Sequence, residues 1–76
     1  MPRYYFDLSD HEQSTDRTGV EFRDADMARK HAVVFAGEYL RDHPELIWDG
    51  KEIRVIVRNE DDLVVFTVIT LSVDCL

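Results

Sequence analysis

The spacing of apolar residues changes twice along this chain. Tyr4, Phe6 and Leu8 alternate with Arg3, Tyr5 and Asp7, a period of two that predicts a strand over Arg3–Leu8. From Asp24 to about Leu40 the apolar residues recur at helical spacing. From Ile53 to Leu71 the period of two returns. The pattern predicts an α+β fold: a single antiparallel β-sheet with one α-helix packed on one face, in the order β-β-α-β-β. Residues 1–76 read as one domain.

Turn chemistry sharpens the boundaries. Ser9–Ser14 is polar and interrupts the alternation. Asp16-Arg17-Thr18-Gly19 reads as a tight turn, with Asp at its first position and Gly at its fourth. A short strand follows at Val20–Phe22, and Glu12–Thr15 can supply an extra short strand entering the turn. Asp24 suits a helix N-cap, and Asp26 suits the positive end of the helix dipole. His43-Pro44 should end the helix, because a residue before proline avoids the helical region. Ala25, Ala28, Ala32, Phe35, Ala36 and Tyr39 form its apolar stripe, with Val33 and Leu40 at the margin. Gly37 lies off that stripe. Glu45–Lys51 is a connector whose Leu46, Ile47 and Trp48 should fold over the open end of the core. Glu52–Arg58 and Leu63–Val73 are then two strands joined through Asn59-Glu60-Asp61-Asp62.

The last strand is apolar on both faces. Leu63, Val65, Ile69 and Leu71 point one way; Val64, Phe66 and Val68 point the other, and Ile56 of the neighbouring strand adds to the second set. One helix covers one face of a sheet. The other face must be covered by loops, by the Leu46–Trp48 connector or by another chain. Val64, Phe66, Val68 and Ile56 are therefore the expected contact surface of a homodimer, since Thr67 interrupts the opposite set. Met27 and Val34, on the outer side of the helix, form a second small apolar patch.

Length and charge change this picture little. A chain of 76 residues has a thin core, and a partner chain is one way to supplement it. The single cysteine, Cys75, excludes a disulfide within the chain and fits a cytoplasmic location. The net charge is -7. Arg3, Arg54 and Arg58 make a modest basic group, far from the basic stripe that nucleic-acid binding requires. A basic protein partner is compatible with that charge; nucleic acid is not an expected partner. The N-terminus carries no signal-peptide apolar region, and Leu63–Leu71 is too short to span a bilayer, so no membrane association is expected.

Candidate chemistry is sparse. Asp7, Asp10, His11, Glu12 and Asp16 cluster in sequence but lack the ordered ligand spacing of a calcium loop. His31 and His43 share no zinc spacing with His11. Cys75 sits in a tail ill-suited to hold a base and an orienting group. The serines and threonines lie in no nucleophile elbow, and the glycines stand alone. No catalytic, cofactor-binding or metal-binding residue is expected, and the protein reads as a non-enzyme.

Met1-Pro2-Arg3-Tyr4-Tyr5-Phe6-Asp7-Leu8, then Asp16-x-x-Gly19-x-Glu21-Phe22-x-Asp24, then Ala28 and Ala32, resemble a family of short alphaproteobacterial domains of unknown function. The resemblance spans nearly the whole chain. It departs in the last hairpin, where Asp61-Asp62 stands in place of the family's frequent Asp-Gly, and at Ile69, near which the family often has proline. The resemblance brings no catalytic residues with it. A looser similarity is to the HicB-type antitoxin domain, which also leads a strand meander into an Ala-rich helix with an acidic cap; here that junction is Phe22-Arg23-Asp24-Ala25-Asp26. Two functions follow as expectations: a self-associating protein-interaction or regulatory module, or an acidic antitoxin-like binder of a basic protein.

Overall fold

The alternation of Tyr4, Phe6 and Leu8 builds β1 (Arg3–Ser9), and the strands that pair with it make one antiparallel sheet. The structure, a computed structural model, describes residues 1–10 and 12–75, the side chain of Asp49 excepted. β2 (Gln13–Ser14) and β3 (Val20–Glu21) both pair with the same side of β1, at Leu8–Ser9 and at Arg3–Tyr4 respectively. They act as one edge strand interrupted by a loop. On the other side of β1 lies β4 (Glu52–Arg58), and beyond it β5 (Val64–Leu71), giving the order β2-β1-β4-β5. The α+β class, the single sheet and the lone helix are as the periodicity predicts, with the two-residue β2 as the extra strand before the turn.

The helix α1 spans Ala25–Asp42. Its first turn is closed by the Asp24 carboxylate, which accepts the Met27 amide at 3.0 Å. It ends at His43, ahead of Pro44. Ala28, Ala32 and Ala36 are buried, and their small side chains let the helix lie close over β4 and β5. Beneath them sit Tyr4, Phe6, Val55 and Val57, with Leu8, Phe22, Ala25, Phe35, Phe66 and Val68 closing the margins. Pro44–Gly50 forms a 3₁₀ helix that touches α1, β4 and β5 and half-buries Leu46 and Ile47 at the end of the core, while Trp48 stays exposed.

One expectation is corrected here. Phe66 and Val68 do not face away from the helix. They lie opposite Val57 and Val55 in the ladder, on the core side. Ile56 pairs with Thr67 and belongs to the outer face instead. Because β5 is apolar on both sides, alternation alone fixes two sets of residues without saying which set faces the helix. A bulge adds to the ambiguity: Val57 pairs with Phe66 but Arg58 with Val64, so Val65 is an extra residue in β5.

The two turns are built by side chains. Asp16 accepts the amides of Thr18 at 3.0 Å and Gly19 at 3.1 Å. Gly19 has φ 73°, and a Cβ there would stand 2.9 Å from both Arg3 Cγ and Tyr5 Cε1, so this position requires glycine. In the β4–β5 hairpin Asn59 Oδ1 accepts from Asp61 at 2.9 Å and Leu63 at 3.0 Å. Asp62 takes φ 64°, a position where glycine is commonest, which is the place where this chain departs from Asp-Gly.

Candidate interaction surface

The outer face of the sheet divides into a polar half and an apolar half. On β1 and β4 the outward side chains are Arg3, Tyr5 and Asp7, and Glu52, Arg54, Ile56 and Arg58. Asp7 is only 5% exposed, a depth at which a carboxylate needs partners. Arg58 supplies a two-pronged contact, Nε to Oδ2 at 2.7 Å and Nη2 to Oδ1 at 3.1 Å. The Asp16 amide donates to the same carboxylate at 2.9 Å. Arg58 also donates to the Asp16 carbonyl at 2.9 Å and to Asp62 at 2.6 Å, and its guanidinium lies 5.1 Å from the centre of the Tyr5 ring.

This cluster is closed on itself. Hydrogen bonds to Asp7 and then to Asp62 hold the Arg58 guanidinium charged more firmly than usual, against the pull of burial. Burial pushes the Asp16 carboxyl up, but the amides of Gly19, Phe6 and Thr18 and the charge of Arg58 outweigh it and hold the group below its ordinary 3.8. No buried side-chain polar atom lacks a partner among the described residues. The arrangement ties β1, the Asp16 loop, β4 and the hairpin together, and offers no spare acid, base or ligand.

Arg3 and Arg54, the other two members of the expected basic group, are also paired. Arg3 meets Glu21 at 2.9 Å and Arg54 meets Glu52 at 2.7 Å. The surface around β1 and β4 therefore presents no free basic group made of Arg3, Arg54 and Arg58. His31 is exposed, yet its ring lies 4.8 Å from Phe6 and 5.2 Å from Phe22, capping the aromatic end of the core. His11 lies outside the described residues. Among the described residues no three His, Cys, Asp or Glu side chains are grouped to hold a metal ion.

The apolar half belongs to β5. Val64, Ile69 and Leu71 are 50–60% exposed, and Val65 is 37% exposed. Leu63 and Val73 extend the exposed run at either end. No charged residue and no proline occurs from Leu63 to Val73. Among the described residues no strand pairs with the far side of β5. Of the expected contact residues, Val64 is on this surface and half-buried Ile56 lies beside it on the outer face, while Phe66 and Val68 are under α1. Met27 and Val34 sit on the outer side of α1, which covers the opposite face of the sheet, so they are not brought together with Ile56. Val34 instead lines a shallow open groove with Arg29, Lys30 and Val33. Ile69 and Leu71, which alternation set on the opposite face, are the ones turned outward with Val64. Each alternating set holds a threonine, Thr67 in the outward one and Thr70 opposite Ile53 in the inward one, so no local signal separates them.

Residues 3–72 match the domain of unknown function DUF6894. The chain belongs to that family. The match runs from the first residue of β1 to just beyond β5, so the DUF6894 unit includes the whole sheet, α1 and the exposed strand. Comparison with curated proteins and with solved structures gives no match. Among the described residues no helix is long and apolar enough to cross a membrane.

Proposed function

We propose that this DUF6894 domain is a small non-enzymatic protein-interaction module that works as a pair of identical copies. The observation that carries the reading is β5, an uncharged strand with a bare edge and an exposed apolar outer face. Such an edge is an association surface unless something covers it. The closed Asp7–Arg58–Asp16 cluster supports a non-enzymatic role, because its titratable groups already spend their hydrogen bonds on each other. A bacterial cytoplasm fits the exposed thiol of Cys75, which would stay reduced there. Sedimentation equilibrium at micromolar concentration should return a dimer. A single species at the chain mass of 8.9 kDa throughout would overturn the reading.

A second reading rests on charge. The net charge of -7, with Arg3, Arg54 and Arg58 each held by carboxylates of the same chain, leaves an acidic surface suited to a basic protein. This is the antitoxin-like role. An adjacent reading frame for a small basic ribonuclease-like protein, and its inhibition by this chain, would favour it.

A further inference from the structure

The two edges of the sheet differ in character. At one edge β2 and β3 are two residues each, and the loop between them leaves the ladder. Asp16 of that loop places its own carboxylate on the Phe6 amide, 3.1 Å away, where a neighbouring strand would otherwise reach. Glu12 and Glu21 stand exposed along the same edge. Short strands, an interruption and charge are the usual means of guarding an edge. The opposite edge is eight residues of β5, uncharged and regular from Phe66 onward, with one bulge at Val65 near its start.

We infer that two copies join β5 to β5, antiparallel, about a two-fold axis through Val68, so that two sheets become one continuous sheet. This rests on the self-association proposed above and states its geometry and its occupant, a second copy of this chain. Three observations select that occupant. Charge is the first. Two chains of net charge -7 repel, and β5 is where they can meet without bringing carboxylates face to face or stripping them of water. Backbone pairing is the second. Among the described residues no strand pairs with the far edge of β5. The same edge of a second antiparallel copy supplies the matching row of N–H and C=O groups, while the apolar side chains beside the seam cover part of one another. Closure is the third. Pairing bare edge with bare edge consumes both and leaves guarded edges outside, so the assembly stops at two copies rather than growing into a filament.

The register follows from alternation. Residues paired across two strands share a face, so a two-fold axis between antiparallel copies passes through a residue and not between two. Val65 is the bulge residue, so regular geometry in β5 begins at Phe66. With Val68 on the axis, Thr67 meets Ile69 of the second copy and Val65 meets Leu71. Val65, Thr67, Ile69 and Leu71 then each gain an apolar or methyl-bearing neighbour, and Ile56 flanks the seam from β4.

The test uses the full chain in a Cys75→Ser background. Ile69→Lys puts a charge at a half-exposed position and should leave the fold intact by circular dichroism while weakening dimerisation by about tenfold or more. Separately, Thr67→Cys and Ile69→Cys copies are mixed and oxidised gently. The mixed disulfide should exceed both self-linked products, because an axis at Val68 pairs these two positions. A dimer that survives Ile69→Lys, or one that links equally well in all combinations, overturns the edge pairing while the self-association reading stands. A wild-type chain that is monomeric throughout removes both.

Discussion

At the scale of single residues, the chain spends its strongest polar contacts on holding one loop. Asp16 uses one carboxylate oxygen on the amides of Thr18 and Gly19 and the other on the amide of Phe6, while its own amide donates to Asp7. Asparagine keeps the first oxygen but replaces the second with an amide group or turns the wrong atom inward. Asp16→Asn should therefore leave the Phe6 N–H without an acceptor and cost about 1–3 kcal/mol at neutral pH by denaturant titration. The pH dependence has a definite sign. Because the folded Asp16 carboxyl titrates below 3.8, its contribution is present above that value and fades as pH falls through the lower folded value. The difference between wild type and Asp16→Asn should shrink over that acid range; a difference that grows on acidification would show that the carboxylate is not what holds the loop. Asp16 and Gly19 were visible in the sequence as a turn. Arg58 was not visible as their clamp, because it lies 42 positions away from Asp16, and only the pairing of β1 with β4 brings it there.

At the scale of elements, α1 carries one residue that works against it. Gly37 lies in the middle of Ala25–Asp42, and a Cβ there would meet nothing within 4 Å. Gly37→Ala should therefore raise stability by up to about 1 kcal/mol, which for a domain of this size is a rise in Tm of roughly 4–8 °C. An unchanged or lower Tm would mean that the glycine serves a contact of the assembled protein. The same helix shows how legible the fold was. Its cap, its stop and its alanine stripe are local chemistry, and Asp24, Pro44, Ala28, Ala32 and Ala36 all stand where their spacing put them. The face of β5 was not legible. Its two apolar sets are equivalent to any rule of alternation, and the bulge at Val65 shifts the count between the hairpin turn and the strand. Burial of Phe66 and Val68 under α1 was decided by the register with Val55 and Val57, a long-range fact that no local pattern encodes.

At the scale of the whole molecule, charge and apolar surface are segregated, and the two have opposite demands on the solvent. Carboxylates dominate the chain, while the stretch from Leu63 to Val73 has no ionisable side chain. In a dimer joined along β5 the net charges of -7 repel across the assembly, and no ion pair at the seam offsets them. Added salt shortens the range of that repulsion from about 30 Å at 0.01 M to about 3 Å at 1 M. It does nothing to weaken apolar burial or backbone pairing along the strand. Dimerisation should therefore strengthen as sodium chloride is raised, seen as a falling dissociation constant in sedimentation experiments. An interface made by the acidic surface with a basic partner has the opposite slope, because there the same ions screen an attraction. Salt thus separates the two proposed functions in one series of measurements: self-association along β5 that weakens steadily with salt would be inconsistent with an uncharged seam, and would move the contact to the charged side of the molecule.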